Sequence, residues 1–294
     1  MKRMRRAALS WFHRHPRLEN VSLLMPAAAW LGIFFAIPLG IMATYAFRPR
    51  HLLGGVYPGW TTTHVARLFE PLYLEVLARS VTLSLLATGL ALVVSYPIAL
   101  VIVRATRWRA LLLFLVVLPF WTSFLVRTYA TIFLIRDTGL INQLLQFAGI
   151  IREPIQMLYT PGAVLFGLVA GFVPFMVLPI YASLEKLDPA LLEAAESLGA
   201  TEWRRFARVT WPLSLPGVIA GSLLVFVPAL GSFLTSDLLG GAKIQLIGNL
   251  VQSQFSSARN WPFGSALSFL LLIVVMLGML VRIKAPSRLT AHDS

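Results

Sequence analysis

The residues whose types and spacing could do chemistry are few and close together. Of 294 residues only 12 are Asp or Glu. Four of them, Asp188, Glu193, Glu196 and Glu202, lie in one polar segment, LDPALLEAAESLGATEWRRFARVTWPLSLPG, which runs from Leu187 to Gly217 between long apolar stretches. Asp188 can cap a helix and Pro189 suits its first turn. Leu191, Leu192, Ala195 and Leu198 then recur at helical spacing before Gly199, a residue that ends helices in the left-handed conformation. Thr201 opens a second helix, which Pro212 is expected to stop. In that helix Trp203, Phe206 and Val209 share an apolar face while Arg204, Arg205 and Arg208 fall elsewhere. Two short helices meeting at an angle can rest on a bilayer or present their carboxylates to a partner; Glu193 and Glu196 are poor choices beside anionic lipid.

Other chemistries lack their residues. ATP turnover needs a GxxxxGK[ST] loop, and Gly240-Gly241-Ala242-Lys243 is too short and is followed by neither Ser nor Thr. There is no HExxH, no GxSxG and no cysteine, so a thiolate metal site and a disulfide scaffold are both excluded. His13 and His15 stand in a basic tail, where a solvated or lipid-facing role is expected rather than metal binding. Arg127 is the one strong base well inside an apolar window. Unpaired at mid-helix it would cost about 2.5 to 3.5 kcal/mol, so it is expected to snorkel or to find an acid.

The elements that must position these residues are membrane spans. The chain is 57% hydrophobic and 13% charged, with a mean hydropathy of +0.77, far from the composition of a soluble domain. Windows of roughly 20 apolar residues, enough to cross about 30 Å of hydrocarbon, fall at Val21 to Phe47, Ser80 to Val103, Ala110 to Ile135, Pro161 to Leu184, Leu213 to Thr235 and Gly264 to Ile283. Pro38, Pro97, Pro119, Pro174, Pro179 and Pro228 inside them read as kinks, because a bundle can satisfy the freed carbonyls. The N-terminal basic stretch resembles the start of a secretory signal, but the following apolar run is too long, and a retained first span is expected. Lys and Arg cluster before span 1, between spans 2 and 3, between spans 4 and 5, and after span 6. Those segments, and both termini, are therefore expected in the cytoplasm. The net charge of +13 is spread over these juxtamembrane segments and forms no basic face interleaved with stacking aromatics. Anionic membrane lipid is the expected partner, and nucleic acid is not. Trp60, Trp261 and Tyr159 are expected as interfacial anchors. The division that follows is a basic tail over 1–20, one all-α membrane domain over 21–283 with its cytoplasmic loop at 185–217, and a C-terminal tail over 284–294.

Within that loop, Glu193-Ala194-Ala195, Gly199, Pro212-Leu213 and Pro216-Gly217 resemble the EAA loop of the membrane subunits of bacterial ATP-binding-cassette importers. Further stretches narrow the resemblance to the permeases of spermidine/putrescine importers: Glu70-Pro71-Leu72-Tyr73, Leu118-Pro119-Phe120-Trp121-Thr122, Leu184-Glu185-Lys186-Leu187-Asp188, Asp237-Leu238-Leu239-Gly240-Gly241-Ala242-Lys243, Leu246-Ile247-Gly248-Asn249 and Asn260-Trp261-Pro262-Phe263-Gly264. The resemblance covers most of the chain from about Glu70 to Ile283. It implies a type I importer core of five helices preceded by one further span, in the inner membrane. It also implies a heterodimer with a second permease, two copies of an ATPase, and a periplasmic binding protein that delivers the cargo. No cofactor is expected on this chain, since ATP and Mg serve the partner ATPase. The first short helix would be the coupling helix, seated on that ATPase, with Asp188, Glu193, Ala194, Ala195, Leu198 and Gly199 as its working residues.

A polyamine cargo would need acids and aromatic faces along its path, because an ammonium over Trp or Tyr gains about 0.5 to 2 kcal/mol and a carboxylate compensates its charge. Trp121, Tyr129, Phe226, Phe233 and Asp237 are the candidates, with helix or lipid packing as the alternative for each aromatic. The resemblance also places a base at the position of Arg127. Other readings stay open: the same machinery with an opine or amino-acid derivative as cargo, an ion-driven carrier, or a membrane scaffold. An ion-driven carrier would want inverted repeats, broken helices and intramembrane acids, which the sequence does not display.

Overall fold

The computed structural model describes residues 16–51 and 54–283. The expected C-terminal tail and most of the N-terminal tail, with His13 and His15, lie outside the described residues. The described chain is helical, with one isolated bridge, Arg50 to Val56, in the loop after the first span. α1, Pro16–Leu31, continues through a π-helical turn, Gly32–Ala36, into α2, Ile37–Ala46; the wider turn, in which Ile37 N donates to Gly32 O, absorbs the donor that Pro38 lacks. α3, Thr63–Arg67, is a short helix in the loop that follows.

α4, Pro71–Arg104, begins nine residues before the expected Ser80, because Pro71 and the extended Glu70 start a helix upstream of the apolar window. Its 34 residues make it about 50 Å long at about 1.5 Å per residue, so it extends beyond the hydrocarbon. Small residues line its buried stripe, among them Ser80, Ser84, Ala87, Ala91, Ser95 and Ala99. They let α8, Pro161–Leu184, and α11, Trp211–Gly231, come close and form the main core around Leu168, Met176, Val177, Ile180 and Val225. A second core joins Ala46, Tyr73, Leu230, Ile247 and Phe263, where α13, Trp261–Ile283, packs on α2 and on α12, Ile247–Phe255.

Two expectations are corrected. The third span is not one helix from Ala110 to Ile135. α5, Arg109–Val117, runs into a 3₁₀ turn, Leu118–Trp121, and α6, Phe124–Ile135, and α7, Leu140–Phe147, leave at 99° to that first half. Pro119 removes a helical donor, the Thr122 hydroxyl donates to Pro119 O at 2.8 Å, and Thr122 and Ser123 are extended, so the chain turns instead of bending gently. Among the described residues five helices are therefore long and apolar enough to span, or six if this bent pair is counted as one. The second correction is that Pro212 does not stop the helix that Thr201 opens. α10, Glu202–Arg205, passes through a π turn, Phe206–Thr210, directly into α11. The wider turn lets Trp211 N reach Phe206 O and absorbs the donor that Pro212 lacks.

Candidate transport pathway and coupling surface

The break in the third span and a second break, after α11, pack on α8 and against each other. α11 ends at Gly231, Ser232 is extended, and a π turn at Ser236–Gly240 follows, so the expected fifth span to Thr235 stops four residues early. Gly167 and Gly171, one helical turn apart on α8, admit both breaks. A Cβ at Gly167 would overlap Leu239 and meet Thr235 at 2.9 Å, and one at Gly171 would come within 3.1 Å of the Phe124 ring. Phe124 stacks on Phe172 at 5.9 Å and 29°, and the two rings join Pro228, Gly231, Ser232, Phe233 and Leu234 around a pocket of about 260 Å³.

On the other side of Phe124 lies a pocket of about 370 Å³ lined by Arg127, Thr122, Thr128, Thr131, Gly167 and Gly171. Arg127 finds no acid among the described residues. Its Nη1 donates to Gly171 O at 3.2 Å, its guanidinium carbon stands 5.5 Å from the Phe124 ring, and its buried Nε has no hydrogen-bond partner. Of the two expectations for Arg127, snorkelling or an acid, the acid is not met among the described residues, and a backbone carbonyl with an aromatic face holds the guanidinium.

Asp237 opens the π turn of the second break, is exposed, and accepts a short hydrogen bond from Asn249 Nδ2. The same nitrogen donates to Phe233 O at 3.0 Å, and Asn249 Oδ1 accepts from Leu246 N at 3.1 Å. The break is held further by Ser236 Oγ donating to Ile244 O at 2.7 Å and by Ile247 N donating to Ser80 Oγ at 2.8 Å. Tyr159, expected as an interfacial anchor, is exposed, with its ring against Gly241 and its N–H on Leu239 O at 2.8 Å.

The structure thus brings Phe233 and Asp237 together at one break. The remaining candidates stand apart. Trp121 is 78% exposed and meets Phe114 edge-on at 6.2 Å. Tyr129 is exposed on α6, and Phe226 packs on the second core. Sequence reasoning missed Asn249, Phe124 and Phe172. Asn249 was within the quoted stretch Leu246-Ile247-Gly248-Asn249, but only the fold shows that it spans the break.

The polar segment forms the helix read from its caps. α9, Pro189–Ser197, starts at Asp188, whose Oδ1 accepts from Ala190 N at 2.9 Å. It closes with Gly199 at φ +76°, Gly199 N on Glu196 O at 2.8 Å and Ala200 N on Ala195 O at 3.0 Å, a Schellman ending. Arg205 joins the two helices through Glu196 at 2.9 Å and pairs with Glu202 of its own helix at 3.5 Å. Beneath, Phe206 stacks on Trp203 and packs edge-on against Tyr96, whose hydroxyl is 2.8 Å from Ser214 Oγ. None of the α9 residues is buried; Glu193 and Ala194 are exposed, and Leu198 is 88% exposed.

Long apolar helices around two breaks, joined by a doubly capped helix that the chain itself leaves uncovered, define a multi-pass membrane transport subunit. Residues 20–286 match the family described as binding-protein-dependent transport system inner membrane component, and the chain belongs to that family. The spermidine/putrescine transport system permease protein PotB of Salmonella typhimurium (strain LT2) is 43% identical over 266 residues, 90% of this chain and 92% of that protein. PotB of Escherichia coli (strain K12) is 44% identical over 260 residues, 88% of this chain and 94% of that protein. The inner membrane ABC transporter permease protein YdcU of the same strain is 31% identical over 284 residues, 91% of this chain and 90% of that protein. Among solved structures, a chain of a bacterial ABC transporter involved in import of the acidic polysaccharide alginate has a TM-score of 0.66 at 20% identity, over 95% of this chain and 100% of that one. That likeness is one of fold.

Proposed function

We propose that this chain is a permease subunit of an ATP-binding-cassette importer that moves polyamines, spermidine or putrescine, into the cytoplasm by alternating access. The observation that carries the reading is the identity of 43 to 44% to PotB proteins over about nine tenths of the chain. On this reading a second permease completes a heterodimer, a periplasmic binding protein delivers the cargo, and two partner ATPase subunits bind ATP and Mg and seat α9 between them and the membrane. Both termini and α9 face the cytoplasm. Asp237 and Phe233 at the second break offer the cargo a carboxylate and a π face, with Trp121, Tyr129 and Phe226 further along the route. Broken helices near a bundle centre are where transported solutes meet backbone and side-chain polar groups.

The test is uptake of labelled putrescine and spermidine by the complete importer in proteoliposomes. Asp237→Asn keeps the shape and the Asn249 contact but removes the charge, so the polyamine concentration for half-maximal uptake is expected to rise about tenfold, a loss of about 1.4 kcal/mol. Assembly with the partners should be unchanged. Normal uptake by both Asp237→Asn and Trp121→Ala would misplace the route. Competition of wild-type uptake by an amino-acid derivative but by no polyamine would overturn the cargo.

A further inference from the structure

We propose that Arg127 is one half of an ion pair between subunits, its guanidinium taking a carboxylate from the second permease. The inference rests on the heterodimer reading above. Gly171, whose carbonyl Arg127 holds, is the eleventh residue of the 24 in α8. At about 1.5 Å per residue that is about 15 Å from the helix start, close to the middle of about 30 Å of hydrocarbon. Headgroup phosphates do not reach that depth, so lipid is a poor source of the missing anion.

Within the chain the guanidinium is left short. It has one carbonyl and one aromatic face, its Nε is buried without a partner, and no carboxylate of the described residues stands within ion-pair distance. Facing hydrocarbon in that state is costly, at about 2.5 to 3.5 kcal/mol on insertion scales. The space beside it has room for an incoming side chain: the pocket of about 370 Å³ is walled by Gly167, Ala170 and Gly171, with hydroxyls from Thr122, Thr128 and Thr131. A polyamine is itself cationic and cannot supply the anion, so the charge comes from protein. Arg is also the residue suited to this task, because its planar fork binds a carboxylate through two parallel hydrogen bonds.

Arg127→Lys provides the test, since it keeps the cation and supplies an amine. A membrane-permeable carbodiimide activates a carboxylate, and an amine in contact with it displaces the urea to form an amide of no added length. In the complete importer the introduced amine is expected to join an acid of the second permease, located by mass spectrometry, and Arg127→Gln should give no such product. Arg127→Glu is expected to lower the second permease recovered with this chain at least tenfold, and a Lys at the mapped acid should restore it. An intact heterodimer in which the introduced amine stays unlinked would overturn the ion pair and leave water as the occupant, and one in which it links only to a lipid carboxylate or to an acid of this chain would overturn it in favour of that group. Failure of the wild-type chain to recover any second permease would instead overturn the heterodimer reading on which the proposal stands.

Discussion

His64 shows what a single side chain contributes outside the membrane core. It is buried between α3 and α13, its ring 6.5 Å from that of Phe263, and its Nδ1 is buried without a partner. Burial, reinforced by the charges of Arg67 and Arg50, holds its pKa below the usual 6.5. A histidine kept neutral by the fold but free to protonate when unfolded contributes stability that is present above about pH 6.5 and is lost as pH falls through the lowered folded value. The melting temperature of the purified protein is therefore expected to decline on acidification below pH 6.5. His64→Phe, which keeps a flat ring and removes the titrating nitrogens, should reduce that decline; an unchanged acid slope would place its origin in other groups. At this scale Asp188 and Gly199 were legible, because a cap is a contact with residues two to four positions away. Asn249 and Asn142 were not: Asn249 reaches Phe233 and Asp237 across 16 and 12 positions, and Asn142 holds Ile155 across 13. No local pattern distinguishes such an amide from an exposed one.

Among the elements, α9 is held rigid at both ends yet contributes nothing to either core, the form expected of a part that transmits force to something outside the chain. Val at Gly199 meets open space, so its cost is one of backbone alone, about 1 kcal/mol or more for a branched residue at positive φ. Gly199→Val should misdirect α9, and Glu193→Lys should reverse a charge on its exposed face, while both leave the spans folded. Measured in one vesicle preparation, each is expected either to lose ATPase binding or to hydrolyse ATP without import. Normal binding and normal import by both would make α9 a connector resting on lipid. The long spans were legible because hydropathy over a full crossing is a strong signal. The 99° break in the third was not, because Pro119 sits in an unbroken apolar window and elsewhere, as with Pro97 and Pro174, a proline stays within its helix. The Gly217 and Gly221 pair was readable and was missed. Four residues apart, they bring α11 against α8, where a Cβ at Gly217 would overlap Pro179 O and Ser183 Oγ, as small residues at that spacing do in membrane helix pairs.

For the whole molecule, orientation decides whether the two candidate surfaces can work together. Import of a cation on the proposed route needs the acidic break reachable from the outside and α9 on the inside, the orientation that the distribution of basic residues favours. Arg104, Arg107 and Arg109 lie at the same end of the bundle as α9, where Arg109 pairs with Glu185 at 3.1 Å. The opposite loops hold Arg48, Arg50, Arg67 and Arg152 as well, so charge alone gives a bias and no more. The 99° turn in the third span does not change sides: Arg109 at its start pairs with Glu185 at the far end of α8, while Pro161 at the start of α8 lies beside Arg79 and Thr82, so the chain between Arg109 and Pro161 passes from one end of the bundle to the other. Ser197 is an exposed residue on the last turn of α9, and the chain has no cysteine to confuse a thiol assay. The thiol introduced by Ser197→Cys is expected to react with an impermeant reagent in inside-out vesicles and to stay unmodified in intact cells. Reaction in intact cells would mean that the whole bundle is inverted, that α9 faces outward together with Arg104, Arg107 and Arg109, and that neither the coupling role nor the cytoplasmic termini can stand.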